Sequence, residues 1–332
     1  MKNRKTWKGG VLWVLLPLVF AVIALCIGRY TIPLQEVLST LLSPFGFETN
    51  GNSEMIIWNV RLPRVIMALL VGAGLAVAGA TFQAVFANPL ASPDTLGVSS
   101  GAAFGAALAI LFALNTAVVQ STAIVFGVIA IAVTFLLSRL KGNDNMLLIV
   151  LAGVIVSAFF TALVSAIKYV ADPQEKLPEI TYWLMGSLSG SSWQDLAFAA
   201  PLIVLGLLGI YLLRWRLNIL MLSEEEIRSL GMKVAHIRWT VILLATMMIA
   251  ASVSVVGQVG WIGLVIPHIA RAIVGTDHRK IIPVSISMGA AFLVIIDTIS
   301  RSVIAGEIPL SILTAIIGAP LFAFLYFRKG SV

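Results

Sequence analysis

The sequence predicts an all-α polytopic membrane protein of about ten transmembrane helices, and three observations predict it. Of 332 residues, 59% are hydrophobic and only 11% are charged, whereas a water-soluble domain carries about a quarter charged residues. Mean hydropathy is +1.02. The apolar residues also fall into runs of roughly 20, the length at which a helix crosses a bilayer. The same composition excludes a disordered chain, a collagen-like repeat and a disulfide scaffold, since Cys26 is the single cysteine. Lys and Arg number 22 against 15 acids, a net charge of +7. This excess is dispersed along the chain, so it reports orientation in a membrane and not a nucleic-acid partner. One domain spanning 1–332 is expected.

The first apolar run, Val11–Ile27, follows Lys2, Arg4, Lys5 and Lys8 and imitates a signal peptide. Leu25 is bulky where a cleavage site wants a small residue, so a retained helix is expected. Arg29–Asn59 is polar, with a short interfacial helix expected at Pro33–Leu42. Leu62–Ala84 carries Gly72, Gly74, Ala76, Ala78, Gly79 and Ala80. Small residues three to four apart let backbones approach closely in lipid, so this span belongs in the packed interior. Beyond the turn at Asn88–Asp94, spans are expected at Leu96–Leu114, Val118–Leu137, Met146–Tyr169, Trp193–Leu213 and Trp239–Val256. Trp261–Val274, Ile281–Ile299 and Leu310–Phe327 follow. The span after Trp261 is too short to cross alone unless neighbouring backbone covers its ends. Gly79 to Pro89 and Gly257 to Pro267, each ten positions long, offer a weak internal-repeat signal.

With the amino terminus inside and ten crossings, sixteen of the 22 Lys and Arg residues fall on the cytoplasmic side, which predicts both termini inside. The spans are nearly free of charge. Asp297, four residues before Arg301, reads as a local helix-end ion pair and not as a proton site, which disfavours an ion-coupled carrier. There is no G-x-x-x-x-G-K-[ST] phosphate loop, no H-E-x-x-H and no G-x-S-x-G. His236, His268 and His278 are scattered, so neither a metal site nor an enzyme is expected. The loop Leu222–Met232 reads as a short capped helix. Ser223 suits its N-cap with Glu226 as capping-box partner, Glu224 and Glu225 sit in the positive first turn, and Gly231 can stop it. Ile227 and Leu230 give it an apolar edge. It is either a solvated connector or a docking helix for a groove in a soluble partner.

Several blocks carry a family resemblance. Arg61-Leu62-Pro63-Arg64, Ala68 to Ala76, Gly79, Gln83, Asn88-Pro89-Leu90-Ala91 and Leu96-Gly97 come first. Trp183 to Leu188, Gly257 to Arg271, Asp277-His278-Arg279, Glu307-Ile308-Pro309 and Gly318-Ala319-Pro320 follow. In this order, from about 30 to 327, they resemble the membrane permease family of ABC importers for iron-siderophores, haem and vitamin B12. The resemblance implies a type II ABC importer permease fold in a bacterial cytoplasmic membrane, paired with a second copy or a homologous permease. It implies two cytoplasmic ATP-binding subunits on the coupling loop at about 218–235, through Ser223, Glu224, Glu225, Glu226, Ile227, Arg228, Leu230 and Gly231. ATP is then bound by those partners, and this chain needs no cofactor of its own. It also implies an extracytoplasmic substrate-binding protein docking on Arg61, Arg64 and Arg301. Gln83, Asn88, Pro89, Gly257 and Pro267 are expected near the inner mouth, as pathway or gate residues or as helix stops. His268 is expected to pack, and Trp183, Met185 and Ser187 to face the outer vestibule. The implied cargo is an iron-siderophore, with haem or cobalamin as alternatives. An ion-coupled secondary carrier is the alternative from another class.

Overall fold

The computed structural model describes residues 10–45, 51–139, 146–222, 224–229, 234–304 and 306–329, and among them it is helical throughout. In chain order the helices are α1 (Gly10–Cys26), α2 (Leu34–Leu41), α3 (Gly51–Ile56), α4 (Leu62–Val85), α5 (Val98–Leu111), α6 (Thr116–Arg139) and α7 (Met146–Val170). They continue with α8 (Lys176–Leu184), α9 (Trp193–Leu220), α10 (Glu224–Ser229), α11 (Ala235–Val256), α12 (Ile262–Val274), α13 (His278–Ser302) and α14 (Leu310–Lys329). Among the described residues six apolar segments are long enough to cross a membrane, and α1, α5, α12 and α14 are shorter apolar helices. The composition predicts this total of about ten.

Lipid tails are as apolar as leucine, so shape and not hydropathy decides which helices lie inside. The spanning window ending in α4 is 83% buried and those of α11 and α13 are each 67% buried, against 33% for α6 and α7 and 28% for α9. Glycine explains why α4 is central. A Cβ at Gly72 would collide with the backbone carbonyl of Gly289 on α13, and one at Gly79 with that of Gly263 on α12. The two close crossings place α4 as the axis around which the others pack.

Some expectations need correction. The helix expected to end at Leu213 runs to Leu220, and the one expected from Trp239 starts at Ala235. Hydropathy falls where the membrane ends, but Arg214 and Arg216 are good helix formers, and each lies over its neighbouring ring, Tyr211 at 3.9 Å and Trp215 at 5.2 Å. The polar stretch holds α3 besides the expected α2. α3 runs through a π-helical turn, Ile57–Arg61, directly into α4. α8 is also additional; its nine residues are too few for a span. The Leu96–Leu114 span shrinks to the 14 residues of α5, about 21 Å at 1.5 Å per residue, short of the roughly 30 Å hydrocarbon core. Its start is buried in the bundle. Gly97 is left-handed (φ 80°) against Val156 of α7, and the Leu96 carbonyl accepts from Thr134 Oγ1 at 3.0 Å. The ten-residue repeat signal pairs unlike positions: Gly79 lies within α4 and Pro89 in a loop, whereas Gly257 caps α11 and Pro267 lies within α12.

Replacing Gly79 with Leu is expected to cost about 3 kcal/mol, the upper end for overpacking, and to reduce monodisperse yield in detergent. Gly51→Leu, where nothing lies within 4 Å of a Cβ, is the control; thermal unfolding of the two variants is the measurement.

Candidate functional site

At one end of the bundle Arg64, on the first turn of α4, is 7% exposed and saturated by carboxylates. Its Nε donates to both Asp297 oxygens at 3.0 and 3.1 Å, and Nη2 donates to Oδ1 at 2.8 Å. Nη1 and Nη2 reach the two Glu307 oxygens at 2.8 and 2.9 Å. Arg301, one turn along α13, has its Nε 3.5 Å from Asp297 Oδ2. Two arginines also serve the C-terminus of α1, whose last carbonyls lack intrahelical donors. Arg301 donates to the Ala24 carbonyl, and Arg61 to those of Leu25, Cys26 and Tyr30. Cations at that terminus also suit the helix dipole. Gly28 makes room, since a Cβ there would lie 2.9 Å from the Arg61 guanidinium. Four segments are thereby tied together: the end of α1, the starts of α4 and α14, and the end of α13.

This geometry revises two expectations. Asp297 is more than a local pair with Arg301; it is 1% exposed, and its main partner is 233 positions away. Arg61, Arg64 and Arg301, expected on the outer surface as docking forks, are buried at 4, 7 and 7% exposure and are engaged internally. Sequence spacing shows Asp297 and Arg301 as neighbours but carries no sign of Arg64 across the fold. Arg29 is exposed and near enough to Glu307 to act on its charge. Burial would raise the Glu307 carboxyl, but the hydrogen bonds and charge of Arg64, with Arg29 and Arg301 nearby, hold it below the ordinary glutamate value.

At the opposite end of α4 a different polar residue closes a different break. Pro267 lies inside α12 and has no N–H for the carbonyl four residues back, which is that of Gly263. Gln83, 2% exposed, reaches the Gly263 carbonyl with Nε2 at 3.4 Å and that of Leu264 at 3.5 Å. Its Oε1 accepts from Arg271 Nη2 at 2.5 Å. Gln83 thus braces α4 against α12. Asn88 and Pro89 are exposed in the following loop, where Asn88 Oδ1 accepts from the Leu90 N–H at 2.9 Å. His268 packs edge-on to the Phe322 ring, centroids 5.4 Å apart. Asn218, in the stretch of α9 beyond the expected boundary, donates to Asp277 at 2.8 Å and accepts from the His278 N–H at 2.9 Å.

Between α9 and α11, α10 spans Glu224–Ser229, which places Glu224, Glu225 and Arg228 on one short helix as expected. Glu226 is exposed and its carbonyl accepts from Ser229 Oγ at 2.7 Å. Ile227 is 3% exposed, so this half of the expected apolar edge is spent within the chain. Ser223, Leu230 and Gly231, with the expected cap and stop, lie outside the described residues.

Midway, the loop 257–261 turns between α11 and α12. Gly257 is left-handed (φ 73°), and a Cβ there would press on the Trp183 carbonyl. The 185–187 segment is pinned on both sides. Ser187 N–H donates to the Val256 carbonyl at 2.8 Å, and the Gly186 carbonyl accepts from Leu310 N–H at 2.9 Å. Met185 lines a cavity of about 530 Å³ whose wall includes Ser99, Ser157, Thr161, Lys168 and Gln258. Trp183 and Ser187 line a separate recess of about 410 Å³.

The ten apolar helices among the described residues, with polar braces at each end of a central helix and polar cavities within, fit a membrane transport protein. The chain belongs to the FecCD transport family, which matches residues 15–328. It is 42% identical over 315 residues to a molybdate import system permease protein of Haemophilus influenzae, covering 95% of this chain and 94% of that one. It is 40% identical over 322 residues to an iron chelatin transport system permease protein of Helicobacter pylori, covering 95% and 96%. A solved metal-chelate type ABC transporter in an inward-facing conformation superposes with a TM-score of 0.88 at 41% identity, over 97% of this chain and 99% of that one. The protein is an ABC importer permease of this family, carried in the cell membrane.

Asp297→Asn leaves Arg64 and Arg301 buried without full charge compensation and is expected to cost about 3 to 5 kcal/mol, read as a lowered unfolding midpoint in detergent. A depressed carboxyl pKa contributes stability that is present at neutral pH and lost as pH falls through the folded value. Glu307→Gln is therefore expected to remove part of the acid lability seen below the usual carboxylate pKa of about 4.3.

Proposed function

We propose that this chain is the conduit of an ATP-driven importer in which two permease copies, or this chain and a homologue, enclose the pathway. Two ATP-binding subunits on the α10 side supply the energy, and ATP is hydrolysed on them. Both termini face the cytoplasm. An extracytoplasmic substrate-binding protein delivers cargo to the end where Arg61, Arg64 and Arg301 lie. The three buried arginines act there by holding the docking rim in shape. Arginine suits this task because its fork holds a carboxylate in bidentate geometry.

The observation that carries the reading is the full-length likeness to a metal-chelate ABC transporter, together with a short helix set apart between two spans. Exposed apolar side chains on α7 (Leu151, Val154, Ile155 and Phe159) and on α14 (Ile312 and Ile316) offer a second copy an apolar surface. The cargo is a metal in oxygen-ligated form. The relatives named for molybdate and for iron chelatin both fit that description, and an iron-siderophore is the chelate expected from the sequence.

Purification from native membranes is expected to recover ATP-binding subunits with the permease. Glu225→Lys combined with Arg228→Glu should release them while membrane insertion persists. Uptake that follows an ion gradient with no ATP-binding subunit attached would contradict the reading and favour a secondary carrier.

A further inference from the structure

We propose that Asn218 is a positioning residue for transport. It locks the cytoplasmic end of α9, and with it α10, to the start of α13, so that movement of α10 on the ATP-binding subunits reaches α12 and α13. The inference rests on the importer reading and names a contact through which such an importer is driven. α9 continues past Leu213, where hydropathy falls, and its last turns carry Asn218 between buried Leu217 and Leu220. α10 opens soon after, at Glu224, so the two are joined by a short piece of chain.

Both ends of the Asn218 amide are used. Nδ2 donates to Asp277 Oδ1 at 2.8 Å, and Oδ1 accepts from the His278 N–H at 2.9 Å. The same Oδ1 lies 3.0 Å from His278 Nδ1. An amide oxygen only accepts, so that ring nitrogen carries the proton. Asp277 is itself the N-cap of α13, its Oδ1 accepting from the Arg279 N–H at 3.0 Å. One side chain on α9 thus holds the cap, the first N–H and the first ring of α13.

The surroundings mark this contact as a lock between separate bodies. α9 is thinly held elsewhere, its spanning window 28% buried against 67% for that of α13. His278 is 0% exposed, yet its Nε2 has no hydrogen-bond partner among the described residues. A buried polar atom left unpaired is costly, so the inward position of the ring depends on the bonds that Asn218 makes. Beyond the knot, the chain turns from α12 to α13 at left-handed Gly275 (φ 82°). Two routes then lead into the bundle. α13 runs 25 residues, about 38 Å as a helix, from His278 to the cluster of Asp297 and Arg301 at the other end. α12 carries Arg271, which meets Gln83 of α4. Displacement of α10 is delivered to both braces of the central helix through one amide.

The test uses the permease–ATPase complex in proteoliposomes and reads ATP hydrolysis together with uptake of molybdate and of a ferric siderophore. Asn218→Leu is expected to keep hydrolysing ATP while import per ATP falls about tenfold or more. Asn218→Asp sets two carboxylates against each other and should do the same. Combining Asn218→Asp with Asp277→Asn exchanges carboxylate and amide, restores a donor between them and should recover import. A second measurement needs no cargo: spin labels at Met221→Cys and Arg279→Cys, both exposed, in a Cys26→Ser background. Their separation is expected to stay constant on adding ATP when Asn218 is present and to shift in Asn218→Leu. Unchanged import per ATP in Asn218→Leu, no rescue by the exchange, or a constant separation in both proteins would overturn the proposal. So would a parallel fall of hydrolysis, import and unfolding midpoint, the mark of a merely structural residue. If ATP-binding subunits co-purify and these outcomes appear, only the role of Asn218 falls. If no such subunits co-purify, the importer reading falls and takes this proposal with it.

Discussion

In a bilayer no water stands ready to satisfy a backbone group released by a broken helix, and this constraint orders the whole molecule. The fold breaks its helices in three places: at the end of α1, before α5, and around α12. Each break is closed by a polar side chain from elsewhere in the chain. Arg61 and Arg301 take the carbonyls at the end of α1, Thr134 takes that of Leu96, and Gln83 takes the one that Pro267 frees. Since α4 supplies both Arg61's continuation and Gln83, the central helix is pinned at each end. Between those ends its glycines bring it against α12 and α13.

The two ends differ in chemical character. Around Arg64 a buried charge cluster binds four segments, and carboxylates that individually would be expensive to bury become compensated only together. Around Gln83 the brace is an amide, with Arg271 completing it. An alternating-access motion needs rigid bodies as well as hinges, and these two knots define a rigid central unit. The thinly buried α6, α7 and α9 lie outside it, as do the 257–261 loop and the cavities beside it.

How much of this was legible in the sequence follows from the range of each interaction. Span count, the interior position of the glycine-rich helix and the short α2 depend on local composition, and they stand as expected. Pro267 also announced a freed carbonyl, although nothing local said that Gln83 would meet it. The Arg64–Asp297 pairing spans 233 positions, so only the local neighbour of Asp297 was visible, and the arginines were placed on the surface where cations ordinarily lie. Helix ends were set too early where hydropathy dropped, because membrane edge and helix end are separate events. The shortness of α5 was hidden because Leu96 and Leu114 look equally suited to lipid, and only the left-handed Gly97 marks the start.

The closing of chain breaks by distant side chains is tested most directly by a double-mutant cycle on Gln83 and Pro267. Gln83→Leu in the native background leaves the Gly263 carbonyl buried without a donor, a loss of about 1 to 3 kcal/mol. Pro267→Ala restores the missing N–H, so the same Gln83 substitution should then cost less, with a coupling of about 1 kcal/mol or more between the two sites. Strictly additive costs would show that Gln83 does not serve the carbonyl released by the proline, and the account would fail at its base.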